Sequence, residues 1–553
     1  MNAATLAAIV FVVFALGYRF YSRFLSEKIF ALRDDEVVPS REFEDGVDFV
    51  PTERPILLGH HYSSIAGAAP IVGPALAVIW GWLPALIWVC VGTVFMGAVH
   101  DFGALVLSLR HQGRSIGDVA GDILNPRLRA LALLVITFLT WIVLAVFAFI
   151  IATLFRTYPG SIFPINVQII FALGLGWLVH RRGVPMMWPS LVCFLFLLGA
   201  VFAGDAVAAQ APWLAQISVT QWVWILLTYC FVASVLPVWV LLQPRDLLNA
   251  HQLVTALVLL SLGLLVVRPE IQAPALNLSP EGAPSWFPFL FITIACGAIS
   301  GFHALVASGT TSKQVKTMTD ARSIGYGGML GEGALGLLAV LATTAGFSSR
   351  EAWEQHYASW GAAQGLQAKL EAFVDGGAMF LGGVGIPQGP ASTFMAVIVI
   401  AFAATSLDTG ARIQRLVLSE LGGIYGIRPL QNRFVASATG IGLALLLAIT
   451  QGSGQGGLIL WPLFGTSNQL LAGVTLLILS VWLKRQGKPI RYTLIPLVFL
   501  SAVTLLAMVE EIGRYWESGR FLLLGIGSAI LVCDLWILGE GLLVLRRARK
   551  PRF

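Results

Sequence analysis

Charge is what this sequence has least of. Of 553 residues only 12% are Asp, Glu, Lys or Arg, 57% are hydrophobic, and the mean hydropathy is +0.81. A soluble domain carries about 25% charged residues, so half that level requires another solvent. The bilayer supplies it, because a spanning helix needs roughly 20 mainly apolar residues. Cysteine is scarce too. Cys90, Cys193, Cys230, Cys296 and Cys533 lie inside apolar segments without CxxC or Cys/His spacing. That argues against a zinc module or a disulfide framework and leaves small core residues. No HExxH is present, and Gly309-Thr310-Thr311-Ser312-Lys313 lacks the leading glycine of a phosphate-binding loop. Asp101-Phe102-Gly103 spells a kinase triplet, but inside an apolar helix with no other kinase element. The net charge of +6 comes from short basic clusters between apolar runs, the pattern of cytoplasmic loops and not of a nucleic-acid-binding face. Met1 to Gly17 is apolar without a basic leader, and reads as a retained first helix.

What is present is a succession of apolar runs, about fifteen: 3–18, 62–82, 84–109, 130–155, 164–180, 187–204, 219–243, 251–267, 286–309, 326–346, 391–407, 434–450, 457–483, 492–508 and 521–545. Residues 374–386 are too short and glycine-rich to span alone and read as re-entrant or part of a broken helix. Residues 347–373, with Glu351, Glu354, His356 and Lys369, read as a small helix or loop outside the membrane. If each run crosses once with the N-terminus outside, 29 of the 35 Lys and Arg residues fall in cytoplasmic segments and none inside a span. The positive-inside rule then predicts an external N-terminus and a cytoplasmic C-terminus.

Gly59 to Pro74 packs two prolines, three glycines and two serines into the edge of one span. Such irregularity frees backbone groups that hydrocarbon cannot satisfy, and is tolerated only where protein or a water-filled cavity partners them. Transporters bind substrates at discontinuous helices of this kind. A kink with a close-packing glycine face is the alternative. Ser63, Ser64, Ala66 and Gly67 are therefore candidate substrate ligands, with helix N-terminal amides suiting a carboxylate. A second irregular stretch, Val235 to Asp246, closes the sixth run counted from 62–82, the spacing expected of a five-plus-five inverted repeat. Ionisable groups in or beside spans are His100, Asp101, His303, Glu332, Asp408, Asp534 and Glu540. Each costs roughly 2.5–3.5 kcal/mol to insert if charged, so each is a functional candidate. Asp101 has no basic partner within a span, and with His100, Glu332 or Asp408 it is the expected proton carrier. Asp534 and Glu540 are expected to pair with Arg546 or Arg547. His60, His61, His100, Asp101 and His303 lack metal-site spacing, and no metal or cofactor is expected.

The blocks Gly59-His60-His61-Tyr62-Ser63-Ser64, Gly97-Ala98-Val99-His100-Asp101-Phe102, Cys296-Gly297-Ala298-Ile299-Ser300-Gly301-Phe302-His303, Ser406-Leu407-Asp408-Thr409 and Trp461-Pro462-Leu463-Phe464-Gly465-Thr466-Ser467-Asn468-Gln469 together resemble the carbon starvation protein A (CstA) family. The resemblance implies a bacterial inner-membrane secondary importer of peptides or pyruvate, with distant kinship to five-plus-five inverted-repeat transporters. It adds Ser300, His303 and Asn468 to the candidate substrate site. The expectation is an all-α polytopic membrane protein with an N-terminal helix and linker (1–56), a transport core (57–425) and C-terminal membrane helices (426–553). Its expected partners are the lipid bilayer, a small carboxylate-bearing substrate and a coupling proton, with Na+ as the alternative ion. A small accessory subunit is left open. A channel-like facilitator or an intramembrane enzyme would be the competing functions, but neither Ser63 nor Ser64 has an assignable base.

Overall fold

The computed structural model describes residues 1–450 and 456–548, apart from the side chains at 457, 459 and 462. Arg549, Lys550 and Arg552, counted in the last basic segment, lie outside the described residues. Every regular element among the described residues is helical, as a chain that must satisfy its own backbone in hydrocarbon requires. The helix starts are capped in sequence. Asn2, Asn125, Ser218 and Asn432 each accept hydrogen bonds from first-turn amides. Gly183 and Gly426 close two helices in the left-handed conformation at φ +65° and +69°, which glycine adopts without a Cβ clash.

The chain is an all-helical polytopic membrane protein. Among the described residues eleven helices are long and apolar enough to cross a membrane, and the pair Arg54–Ile65 and Ala69–Trp80, bent by 46°, raises this to twelve. The remaining three of the fifteen expected spans fall on two shorter apolar helices, Val219–Val235 and Arg433–Ile449, and on a run divided into Trp286–Thr293 and Gly301–Gly309. Pro126–Thr157 and Gln388–Tyr425 pack along one another at the centre. Outer helices expose Trp188, Leu195, Phe196 and Trp536, as lipid-facing surfaces do.

Several expectations change. Residues 374–383 belong to a regular helix, Leu366–Gly383, preceded by Arg350–His356 and Trp360–Ala363, and 384–386 form the turn after it. The stretch 235–246 is a link between two helices, ending Val219–Val235 and opening Leu242–Val267. The second break inside a run is at 294–300 instead. The spans are also not free of cations. Arg245 lies in Leu242–Val267, and Arg412 and Arg415 in Gln388–Tyr425. All three are buried between helices and paired with Asp408 or Asp48, so the bilayer does not meet their charge. Glu540 accepts from Asn125 and Trp536 side chains rather than from Arg546 or Arg547.

Segments that the alternation of spans groups on one side do meet. Arg110 Nε donates to Glu36 at 2.8 Å, the Val50 amide to the Lys313 carbonyl at 3.2 Å, and Ser115 Oγ to Glu420 at 2.6 Å. At the opposite end Asn2 Nδ2 donates to the Arg268 carbonyl at 3.1 Å, and the Trp360 amide to the Glu281 carbonyl at 2.8 Å. The linker before the first broken helix is pinned by Asp48, which takes Arg412 Nη1 at 2.5 Å and Arg415 Nη2 at 2.9 Å. Burial pushes the Asp48 carboxyl upward, but Arg412, Arg415 and Lys313 overcome it and hold it below the usual carboxylate range. Asp48→Ala leaves two buried guanidinium groups without their acid and should cost about 3 kcal/mol, read as a lowered Tm of the detergent-solubilised protein at neutral pH. Because the folded carboxyl titrates below its unfolded value, its contribution is complete above about pH 5 and declines as acid protonates it. The difference in Tm between wild type and variant should therefore narrow in acid; an equal difference at about pH 3 would show that Asp48 acts through packing alone.

Candidate functional site

The first break is built by residues that stop a helix and by neighbours that satisfy what it exposes. Arg54–Ile65 ends at Ala66, and the chain turns through Gly67, whose amide donates to the Ile65 carbonyl at 2.8 Å. Pro70 then opens Ala69–Ala77 at a position where its missing N–H costs nothing. The Ser64 carbonyl accepts from Ser406 Oγ at 2.9 Å, and the Ser64 hydroxyl shares a hydrogen bond with Thr409 at 3.0 Å. Ser63 Oγ donates to the Asp246 carbonyl at 3.3 Å. Ser63 and Ser64 thus stand in the last turn of the first half-helix, at the negative end of its dipole, where carbonyls and not amides are freed. The amides suited to an anion are those of Ala68 and Ala69, because Pro70 has none and the Ile71 and Val72 amides donate to the Ala68 carbonyl. Gly67 is closely packed, since a Cβ there would lie 2.8 Å from Ser406 Oγ and 2.9 Å from the Phe147 ring.

The second break, 294–300, faces the first. A Cβ on Gly73 would come within 2.3 Å of the Thr293 carbonyl, so only glycine permits this approach. Trp88 Nε1 donates to the Ile294 carbonyl at 3.2 Å and Thr93 Oγ1 to the Gly297 carbonyl at 3.1 Å. Asn468 caps the helix that restarts at Gly301. Its Oδ1 accepts from the Phe302 amide at 2.8 Å, and its Nδ2 donates to Ser300 Oγ at 3.0 Å.

In the first turn of the restarted helix, His303 joins a chain of fully buried groups. Asp101 is hydrogen-bonded to His100 Nδ1 at 2.7 Å and to His303 Nδ1 at 2.8 Å. His303 Nε2 lies 3.0 Å from Glu332 Oε2, close enough for an ion pair but out of line for a hydrogen bond. The chain has open ends, because His100 Nε2 and Glu332 Oε1 have no partner among the described residues. His61, hydrogen-bonded to Thr311 at 2.9 Å, lays its ring on Gly328, one turn before Glu332. Asp101, expected to lack a basic partner, is therefore held between two imidazoles.

Asp408 is elsewhere. It accepts from Tyr229 Oη at 2.9 Å, from Cys230 Sγ at 3.4 Å and from Arg245 Nη1. Arg245 also reaches Asp246 at 3.4 Å, and Asp246 is hydrogen-bonded to His60 Nδ1 at 2.5 Å. His60 and His61, adjacent in sequence, thus lead to two different clusters. A cavity of about 600 Å³ runs along the second half-helix. Ala69 and Gly73 line it from the first break, Thr293 and Cys296 from the second. Cys296 Sγ touches Ser300 and Asn468 at its inner end.

The structure brings His100, Asp101, His303 and Glu332 together, and Ser300 with Asn468, but separates Asp408 from them. Sequence reasoning missed Tyr229, Arg245, Asp246 and Cys296. Arg245 and Asp246 had a signal, an acid beside a base next to a proline at a span edge, but were taken for loop residues. Cys296 looked like any small core residue.

A model of the family described as carbon starvation protein CstA matches residues 2–353 and 349–507. The peptide transporter CstA of Mycobacterium tuberculosis is 36% identical, over 93% of this chain and 76% of that protein. The pyruvate/proton symporter BtsT of Escherichia coli is 32% identical, over 90% and 80%. Among solved structures, a mutant of the manganese transporter of Eremococcus coleocola is similar at a TM-score of 0.43 and 14% identity, over 89% of this chain and 94% of that one. With the family match spanning most of its length, the chain belongs to the carbon starvation protein CstA family.

Proposed function

We propose that this chain is a secondary transporter that imports a small carboxylate-bearing nutrient, a peptide or pyruvate, by alternating access and in symport with protons across a bacterial plasma membrane. The observation that carries the reading is the buried chain His100–Asp101–His303–Glu332 beside two helix breaks. The functions of the relatives, peptide transport and pyruvate/proton symport, support it. The substrate carboxylate approaches the amides opening Ala69–Ala77 and the Ser300–Asn468 pair, where the cavity ends. A proton held on the Asp101 chain offsets the arriving anion, and the anion in turn favours the proton. Such reciprocity is the thermodynamic requirement for symport. Asp408, bonded to Arg245 and Tyr229, then braces the neighbouring helices instead of carrying the proton.

Reconstituted protein with Asp101→Asn should lose uphill uptake driven by a pH gradient and keep substrate counterflow, which needs no net proton movement. Asn is nearly isosteric and still hydrogen-bonds, so a variant that concentrates substrate normally would reduce Asp101 to a brace.

The orientation is part of the same reading. Without the three arginines buried inside spans, the imbalance of basic residues, 26 to 6, still favours an external N-terminus, which also places the Arg350–His356 end outside. An impermeant thiol reagent applied to intact cells should label Gln364→Cys and not Gln486→Cys. The reverse pattern would invert the assignment.

A further inference from the structure

Of the charged residues that line the 600 Å³ cavity, Lys369 and Glu511 are the two buried ones, and neither forms an ion pair among the described residues. Lys369, on Leu366–Gly383, lines it and is 5% exposed. Its ammonium has neither a hydrogen bond nor an ion pair among the described residues. Glu511, on Arg491–Glu517, lines the same cavity at 6% exposure, and its Oε2 is unpartnered. Arg514, one turn further, does not form an ion pair with Glu511; its guanidinium sits over the Phe289 ring at 4.4 Å. Trp461 and Phe464, stacked at 4.7 Å, add an apolar wall.

A buried ionisable group without an ion-pair partner is costly, and here one buried residue of each sign lines a common space of ligand size. The geometry points to an outer subsite that first receives a zwitterion, a short peptide with free termini whose carboxylate meets Lys369 and whose ammonium meets Glu511 before the peptide moves on to the helix breaks. A lone carboxylate such as pyruvate would answer Lys369 and leave Glu511 unpaired. The inference rests on the reading of the chain as an importer of carboxylate-bearing nutrients, and it selects the peptide among them. The aromatic wall then takes side chains without demanding one in particular.

Displacement of labelled dialanine from the purified full-length protein tests this. On wild type, N-acetyl-dialanine, dialanine amide and pyruvate should each bind at least tenfold more weakly than dialanine. Lys369→Met should weaken dialanine at least tenfold without further weakening the amide. Glu511→Gln should do the same without further weakening the N-acetyl form, and Lys369→Arg should retain binding. Equal affinity for free and blocked dipeptides, or a loss shared by all probes in the variants, would overturn the subsite. The wild-type series decides even if a variant fails to fold. Pyruvate uptake driven by a pH gradient with no dialanine binding would overturn the zwitterion subsite alone. Undiminished uphill uptake by Asp101→Asn would instead overturn the coupling reading beneath it.

Discussion

A carbonyl or amide set free at membrane depth has no water to bond, and both helix breaks in this chain exist only because distant helices supply side chains to them. Ser406 satisfies the Ser64 carbonyl, Trp88 and Thr93 satisfy Ile294 and Gly297, and Asn468 satisfies the Phe302 amide. These partners come from helices far apart in sequence. The breaks therefore tie the bundle together, and no break can reshape without changing the register of a partner helix. Gly73 and Gly97 reinforce the coupling. A Cβ on either would strike the backbone of the second break, at Thr293 or Ala298. The unwound segments are thus held against one another by close backbone approach as well as by caps. An alternating-access motion in such a bundle has to carry both breaks together.

The helix Arg54–Ile65 also divides the buried charge. At 3.6 residues per turn, successive side chains point about 100° apart, so His60 meets Asp246 while His61 meets Thr311. On one side stands a compensated group, in which Arg245 answers Asp408 and Asp246. On the other is a row of acids and imidazoles with unpartnered ends at His100 and Glu332. A guanidinium gives Asp408 and Asp246 a fixed counter-charge, whereas the other row is built of imidazoles and acids, the side chains that relay protons. The two clusters share a helix but suit different tasks, static bracing for the first and proton exchange for the second.

Much of this was legible in the sequence because hydrocarbon punishes exceptions. Asp101, His303 and Glu332 stand out in apolar runs, and the density of proline and glycine from Gly59 to Pro74 marks the first break. The second break was misplaced to 235–246, where two prolines are visible. The true one at 294–300 carries no proline and is shaped by neighbours that no local pattern reveals. Arg245, Arg412 and Arg415 were assigned to loops because hydropathy ends a span where polar residues begin, although a helix continues when those residues find buried partners. Lys369 and Glu511 looked like ordinary charges outside or at the end of a span. Only the packing of Leu366–Gly383 against the bundle buries the lysine, and only the cavity brings the acid to the same space.

On the proposal that Asp101 and its neighbours carry a proton, the charge on the substrate fixes what that proton can accomplish. A monoanion carried with one proton moves no net charge, so the membrane potential adds nothing. A pH difference then supplies about 1.4 kcal/mol per unit, roughly tenfold accumulation. A zwitterion carried with one proton moves a full positive charge, and the potential contributes about 2.3 kcal/mol more per 100 mV. The same row of Asp101, His303 and Glu332 would accumulate a peptide far more steeply than pyruvate without any change in its own chemistry. If Lys369 and Glu511 select a zwitterion over an anion, as proposed, they would set the driving force of a proton site they do not touch.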